Sequence, residues 1–379
     1  MENELILKIT DLARGGSGVA KDAEGRVVFV PFTATGDSVR VRIVETHKNY
    51  AHAEIVEILE PSKDRQPAPC PVFGQCGGCQ WQHLPYGIQW DTKVKGVLQA
   101  LKKANLELTE TPELVPAEEI WNYRNRVQLR GMGKDLGFFR ASSRELVPAD
   151  QCFIARPEIN KSWEETRLEG SALPGPYKVE IEVLLGGQVR KVWNSPHSAE
   201  GFRQVHDEQN EKLKKWVASV LPDNDVLYDL FGGSGNLSLP LVNHSREIHC
   251  VDLGTPHVRS ANLPQHLHFH RSAVDRWLTH RVASLKLTKS ASLQGGKISA
   301  ILDPPRAGLK AQFPIIASAV ESLGVKRLVA VGCDPDSWAR DLSQWVKRGW
   351  KLKKVMLVDL FPQTSHVESV GLLVSSANI

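Results

Sequence analysis

Three cysteines fall within ten residues: Cys70, Cys76 and Cys79, spaced Cys-x5-Cys-x2-Cys, with Gly74, Gly77 and Gly78 between them. Glycine lets a chain curl closely around a bound group, and thiolates are strong metal ligands. Such a loop can wrap a metal centre. An iron–sulfur cluster or a closed tetrahedral zinc site needs a fourth ligand. Cys152 is the natural candidate, and only folding could bring it near. Zinc sites often carry two Cys-x2-Cys knuckles and only one is present, so zinc is the second reading. Bare structural thiols are the third.

A second set of residues suits a nucleoside-containing cofactor. Asp229-Leu230-Phe231-Gly232-Gly233-Ser234-Gly235-Asn236 follows an apolar strand and precedes a helical segment. Glycines at such a turn bring backbone close to a ligand. Another strand ends at Asp252, 23 residues after Asp229, where a carboxylate fits a ribose hydroxyl pair. Asp303-Pro304-Pro305-Arg306 ends a further strand, at the edge where open α/β sheets bind ligands. An aromatic residue after Asp-Pro-Pro would suggest methylation of an amino group; Arg306 stands there instead and argues against that class. Cys333 follows the strand Leu328 to Val331. A lone cysteine is by default a small core residue, but a thiol at a strand end in a cofactor domain is also placed to be a nucleophile. Glu368 lies in Phe361-Pro362-Gln363-Thr364-Ser365-His366-Val367-Glu368; taken alone it reads as a surface residue.

The elements that must position these groups come in three stretches. Residues 1–60 hold short alternating runs such as Val27 to Val30, Val39 to Ile43 and Ala53 to Ile58, which predict a small OB-like β-barrel. With seven Lys/Arg and ten Asp/Glu, this stretch is no basic patch, so any RNA contact there must use a local face. Pro61 to Pro71 reads as a linker. Ile88, Val94, Val97, Leu98 and Leu101 predict a helix from Tyr86 to about Ala104. Residues 108–200 read as mixed α and β. From about residue 202, apolar strands alternate with helical stretches, which predicts a doubly wound, mostly parallel sheet.

Composition adds bounds. The chain has 379 residues, 41% hydrophobic and 24% charged, enough apolar surface for two or three packed domains. The net charge of +4 is only a mild lean toward polyanions. No apolar run reaches 18 residues, and the start lacks a basic-then-apolar leader; the expectation is a cytoplasmic protein, in which structural disulfides are not expected.

Together and in order, these motifs resemble the S-adenosylmethionine-dependent RNA uridine-5-methyltransferase family over nearly the whole chain. The resemblance implies a TRAM domain at 1–60, an iron–sulfur central domain at 61–200 and a Rossmann-like methyltransferase domain at 201–379, with the helix at 86–104 packing on the last of these. It implies Cys70, Cys76, Cys79 and Cys152 as ligands of a 4Fe–4S cluster. Tyr123-Arg124-Asn125-Arg126 matches a family motif. Cofactor contacts are implied at Gln204 (in Phe202-Arg203-Gln204-Val205), Phe231, Asn236, Asp252 and Asp303. Gly332-Cys333-Asp334-Pro335 resembles the family's Ser-Cys-Asn-Pro, which makes Cys333 the nucleophile, and His366-Val367-Glu368 makes Glu368 the proton-abstracting base. Departures from the pattern are His206 for the usual asparagine, Gly332 and Asp334 beside the cysteine, and Asp252 where glutamate is common.

The implied reaction is methylation of carbon 5 of a uridine in structured RNA through a covalent cysteine adduct. Ribosomal RNA is expected over transfer RNA, because a TRAM domain with a cluster is commoner among the ribosomal enzymes. The competing readings are a tRNA enzyme, an inactive RNA-binding homologue and a DNA cytosine-5-methyltransferase; the last places its nucleophile in a Pro-Cys pair, and Gly332 precedes Cys333 here. No protein partner is implied. Three basic groups, Lys93/Lys95/Lys102/Lys103, Arg124/Arg126/Arg130/Lys134 and Lys347/Arg348/Lys351/Lys353/Lys354, read as phosphate contacts or as ordinary solvated faces.

Overall fold

A computed structural model of the chain describes residues 4–184, 186–196, 203–254, 263–287 and 296–376. The first six strands are β1 (Glu4–Lys8), β2 (Asp11–Leu12), β3 (Gly18–Lys21), β4 (Val27–Val30), β5 (Ser38–Thr46) and β6 (Tyr50–Glu60), in the order β1-β5-β6-β4-β3-β2. β1 and β2 are successive pieces of one extended segment. One piece pairs with β5 and the other with β3, so the sheet curls into an OB-like barrel and its edges are covered. Alternation fills the barrel with small aliphatic side chains, Ala20, Val28, Val30, Val39, Val41 and Ala53. The stretch after β6 is pinned rather than loose. Arg65 donates from Nε and Nη2 to the buried Asp37 carboxylate at 2.9 and 2.8 Å, and from Nη2 to the Phe32 carbonyl at 2.7 Å.

Helix α1 (Tyr86–Lys103) follows the cysteine loop, and then comes the short strand β7 (Glu113–Val115). Its Trp90, Val97, Ala100 and Leu101 enter the core of the C-terminal sheet. Leu98, expected on that apolar face, is 40% exposed; Val97 and Leu101 already fill the contact. The middle of the chain forms an antiparallel sheet from β8 (Arg126–Met132), β9 (Asp135–Phe139), β10 (Leu146–Pro148), β11 (Pro176–Val183) and β12 (Val189–Trp193), in the order β10-β9-β8-β11-β12. Helices α2 (Pro157–Lys161) and α3 (Trp163–Ser171) add Ile159 and Trp163 to its core.

Helix α4 (Asp207–Val220) opens the C-terminal part. β13 (Asn224–Leu230), β14 (Ser245–Asp252), β15 (Leu267–Arg271), α5 (Val274–Leu287), β16 (Ile298–Leu302), α6 (Phe313–Ser322), β17 (Arg327–Gly332), α7 (Pro335–Lys347), β18 (Trp350–Val358) and β19 (Glu368–Ser375) follow. The sheet order is β15-β14-β13-β16-β17-β19-β18-β7. β15 to β17 are mutually parallel, and β19 inserts antiparallel between β17 and β18. The mostly parallel sheet is thus a mixed one, with β7 added at its far edge.

Two-residue periodicity divides the strand side chains between the faces. Val226, Tyr228, Leu230, Ala300, Leu302 and Leu328 face α1, α5, α6 and α7. Leu227, Ile301, Val329, Val331 and Val370 face α4. Covering both faces is what a parallel sheet requires. Strand order reverses between β14-β13 and β16-β17, so a crevice opens beyond the carboxyl ends of these strands, the site where such sheets bind ligands. Among the described residues, no helix is long and apolar enough to cross a membrane.

Candidate active site

The glycine turn after β13 opens the crevice. Phe231 (φ 63°) and Gly233 (φ 55°) both take left-handed backbone. A Cβ on Gly232 would stand 2.5 Å from the Asp229 carboxyl and 2.6 Å from Cys250 Sγ, so glycine is required there for the chain to pass over the buried acid. Asp252, at the end of β14, accepts from the Gly233 N–H at 3.2 Å and the Gly254 N–H at 2.6 Å. Asn236 exchanges two amide hydrogen bonds of 2.9 Å with Asn210 of α4, a partner that sequence reasoning did not single out.

Asp303 follows β16, its N–H donating to the Leu230 carbonyl at 3.2 Å. Burial raises the Asp303 carboxyl to about 7, helped by repulsion from Asp229 and Asp252. Burial likewise raises Asp229 to about 6, and its Oδ1 is buried without a hydrogen-bond partner. Two buried acids close together, with Asp252 beside them, repel one another. A cation bound among them would relieve that repulsion.

Cys333 and Glu368 are brought together by pairing that the sequence does not display. β17 and β19 are antiparallel, Gly332 pairs with Ser369 at the last rung of the ladder, and Cys333 and Glu368 are the next residue on each strand. Burial pushes the Cys333 thiol up to about 12, with Glu368 and Asp303 adding repulsion and the Arg306 guanidinium pulling it down. Glu368, read alone as a surface residue, is 3% exposed. Burial and then Asp303 hold its carboxyl well above the usual range. The two flanking departures have local causes. A Cβ on Gly332 would stand 2.8 Å from the Trp338 side chain, and Asp334 caps α7 by accepting the Ser337 N–H at 2.9 Å. His206 stacks on Tyr123 with centroids 4.7 Å apart. Arg306, noted in the sequence only as the residue that excluded a class, is here a cation that favours ionisation of the thiol.

Cys333, Arg306 and His366 face a groove of about 640 Å³ whose other walls are the barrel (Arg14, Gly16, Phe29, Phe32) and the cysteine loop (Cys76, Cys79, Gln80). Outward-pointing rings of the barrel gather nearby: His47 stacks on Tyr50 at 4.3 Å, and Phe29 lies 5.9 Å from Tyr50 and 5.6 Å from His52. Their strands send the alternate residues, Val28, Ala51 and Ala53, inward.

The four cysteines meet. Cys70, Cys76, Cys79 and Cys152 line one cavity of about 390 Å³, with Val72, Phe73, Phe138 and Ile154 among its apolar walls. Burial raises the Cys76 thiol to about 11 and the Cys79 thiol to about 12, each repelled by Cys152 and Cys70. A tetrahedral zinc ion with bonds of about 2.3 Å would draw its sulfurs to about 3.8 Å apart. Among the described residues, the one set of three ligand atoms within 4.8 Å of one another is Glu45, His47 and His52; no three of the four thiols are so tightly gathered. The four thiols and the room between them suit a metal centre. Gln204 is buried on the wall of this cavity, its carbonyl accepting from Asn125 Nδ2 at 2.9 Å. Phe202 lies outside the described residues.

Several expected phosphate contacts are internal instead. Lys93 is fully buried and pairs with Asp359 at 2.8 Å. Arg126 is buried against Glu182 at 2.9 Å. Lys95 and Arg348, by contrast, stay partly exposed and pair at the surface with Asp11 and Glu321. A run of positive charge in sequence does not report which side chains face inward.

The barrel, the mixed sheet and the acid-lined crevice define a TRAM-bearing methyltransferase with a Rossmann-like domain. Family models agree: the TRAM domain matches residues 4–56, and tRNA (Uracil-5-)-methyltransferase matches residues 188–376. An uncharacterized RNA methyltransferase of Bdellovibrio bacteriovorus is 32% identical, covering 97% of this chain and 94% of its own. Another, from Streptomyces coelicolor, is 29% identical, covering 99% and 93%. The crystal structure of Pyrococcus abyssi tRNA (uracil-54, C5)-methyltransferase in complex with S-adenosyl-L-homocysteine superposes with a TM-score of 0.71 at 22% identity, covering 97% of this chain and 99% of that one; it shares the fold. This chain belongs to the tRNA (uracil-5-)-methyltransferase family and is an RNA methyltransferase.

Proposed function

We propose that the protein methylates carbon 5 of a uridine in structured RNA, with S-adenosylmethionine as donor, Cys333 as nucleophile and Glu368 as base. The observation that carries this reading is the meeting of a thiol and a buried carboxyl at the mouth of an acid-lined crevice. Carbon 5 of uracil is a weak nucleophile. Addition of the Cys333 thiolate to carbon 6 pushes an electron pair onto carbon 5 and the carbonyl oxygen beyond it. Carbon 5 then displaces S-adenosylhomocysteine from the donor methyl. The Glu368 carboxylate takes the proton from carbon 5, the freed pair re-forms the ring double bond, and the thiolate leaves. A general base of this kind contributes about 10²–10⁴-fold.

Phe231, Asn236, Asp252 and Asp303 would hold the donor, and Gln204 joins them in this reading. Asp252 suits the ribose hydroxyls, and the acid cluster favours the sulfonium charge. That cation would also lower the cost of ionising Cys333. The target base must leave its stack, at a cost of a few kcal/mol, and the groove beside Cys333 offers it a path. The rings of Phe29, His47, Tyr50 and His52 would stack flanking bases. Cys70, Cys76, Cys79 and Cys152 would hold a 4Fe–4S cluster, which supplies a covalent tie between the cysteine loop and the Cys152 segment and no electrons to the transfer. The three-part division at 1–60, 61–200 and 201–379 belongs to the same reading. Ribosomal RNA is favoured over transfer RNA on the combination of barrel and cluster.

The deciding experiment uses RNA carrying 5-fluorouridine, which has no proton at carbon 5 to surrender. The wild-type protein with S-adenosylmethionine should form a denaturation-resistant RNA adduct, Cys333→Ala should form none, and Cys76→Ser should lose its iron absorbance. No adduct with RNA containing the cellular target overturns the proposal. Mapping 5-methyluridine in RNA from a deletion strain assigns the target.

A further inference from the structure

Glu368 is delivered by residues 359–367, a segment with no regular structure between β18 and β19. Left to itself such a segment would place the carboxylate poorly. Here it is held from one side by the cysteine loop. Both the Gln80 and Trp81 N–H groups, immediately after Cys79, donate to the Gln363 carbonyl, at 3.0 and 3.1 Å. Gln80 Oε1 accepts from the Ser365 N–H at 3.4 Å.

Gln89 of α1 completes the clamp. Its Oε1 accepts the Gln363 N–H at 3.0 Å, while its Nε2 donates to Gln363 Oε1 at 3.0 Å, to the Trp81 carbonyl at 3.1 Å and to the Leu84 carbonyl at 2.9 Å. Gln89 and Gln363 are both buried, and Gln363 adopts a φ of 67°, a conformation that a non-glycine residue keeps only where its surroundings impose it. Tyr123 Oη donates to the Pro362 carbonyl at 3.0 Å.

We infer that the cysteine loop is a positioning device for the catalytic base: Gln80, Gln89 and Gln363 transmit the fixed shape of the 70–79 loop to the segment that ends in Glu368. The inference rests on the uridine-5 reading and deepens it by giving the four-thiol centre a task in the reaction. A group that fixes the four sulfurs fixes Gln80 and Trp81, and through them the segment. The step affected is proton removal from carbon 5, which comes after both thiol addition and methyl transfer. A misplaced base therefore stalls the reaction at the methylated covalent intermediate.

The test uses Gln80→Ala, a mild change in a half-buried loop, and Gln89→Leu, which removes four hydrogen bonds. Both are made in the iron-loaded protein and compared with Glu368→Gln. The expected result is unchanged iron absorbance in both variants, unchanged RNA affinity in Gln89→Leu, whose side chain is buried outside the groove, wild-type adduct formation on 5-fluorouridine RNA, and kcat on ordinary RNA lowered about 10- to 100-fold, with a denaturation-resistant RNA complex accumulating as it should for Glu368→Gln. Wild-type kcat in Gln89→Leu overturns the inference, as does a loss of activity in which no covalent complex builds up. Failure of the underlying reading is distinguishable, because then the wild-type protein forms no 5-fluorouridine adduct.

Discussion

In the proposed reaction Cys333 and Glu368 must both be ionised, and burial disfavours ionisation of both. The sign follows directly. A thiol raised to about 12 and a carboxyl raised above its usual range are more fully ionised as the solution becomes more basic, so kcat/KM for RNA should climb from about pH 6 to about pH 9 with no descending limb from either group. Subsaturating S-adenosylmethionine should steepen the dependence, because the sulfonium charge helps to ionise the thiol. Initial rates across that range check this, and a flat profile would separate the two groups from the rate-determining chemistry. Arg306 is the cation that works in the same direction on the thiol. Its placement explains why an arginine can stand after Asp-Pro-Pro, where a stacking ring would serve a different reaction.

At the scale of elements, α1 joins the cysteine loop to the catalytic sheet through a buried ion pair. Lys93 Nζ donates to Asp359 Oδ1 at 2.8 Å and to the Phe361 carbonyl at 3.0 Å, and Tyr86 Oη donates to Asp359 Oδ2 at 3.0 Å. Replacing Lys93 by Met leaves the Asp359 charge buried and uncompensated. Breaking such a pair from one side costs about 3–5 kcal/mol, read as a lowered denaturation midpoint in urea. An unchanged midpoint would mean that the pair does not hold α1 to the sheet. Helix α1 is also where the sequence was most and least informative. Its apolar spacing marked the helix from Tyr86 to about Ala104, yet Lys93 read as a surface charge because periodicity carries no record of a partner 266 residues away.

For the whole molecule, the barrel, the cysteine loop and the catalytic sheet share one groove, so RNA bound there would touch all three. The barrel's net acidity leaves its rings as the local face for that contact. A His47→Ala/Tyr50→Ala variant removes a stacked pair on the outer surface, away from the barrel core. Base–aromatic stacking contributes about 1–3 kcal/mol per base, so RNA affinity should fall by roughly 5- to 150-fold for one lost platform, with kcat at saturating RNA and the melting temperature retained. Fluorescence anisotropy with labelled RNA measures the first and stopped-time assays the second. Unaltered affinity would move the flanking RNA to another wall of the groove.

Residue type and spacing alone made the barrel, the parallel strands, the glycine turn and the cysteine loop readable, because each obeys a local rule: alternation in strands, glycine where backbone crowds an acid, thiols clustered within reach of a common centre. Tertiary structure alone decided which groups meet. It set Glu368 and Cys333 at neighbouring strand ends by inserting β19 antiparallel beside β17, brought Cys152 to the other three thiols, and turned Lys93 and Arg126 inward to buried carboxylates. The reason is range: local rules act over a few residues, whereas a site is assembled by strand pairing and burial between segments far apart in the chain.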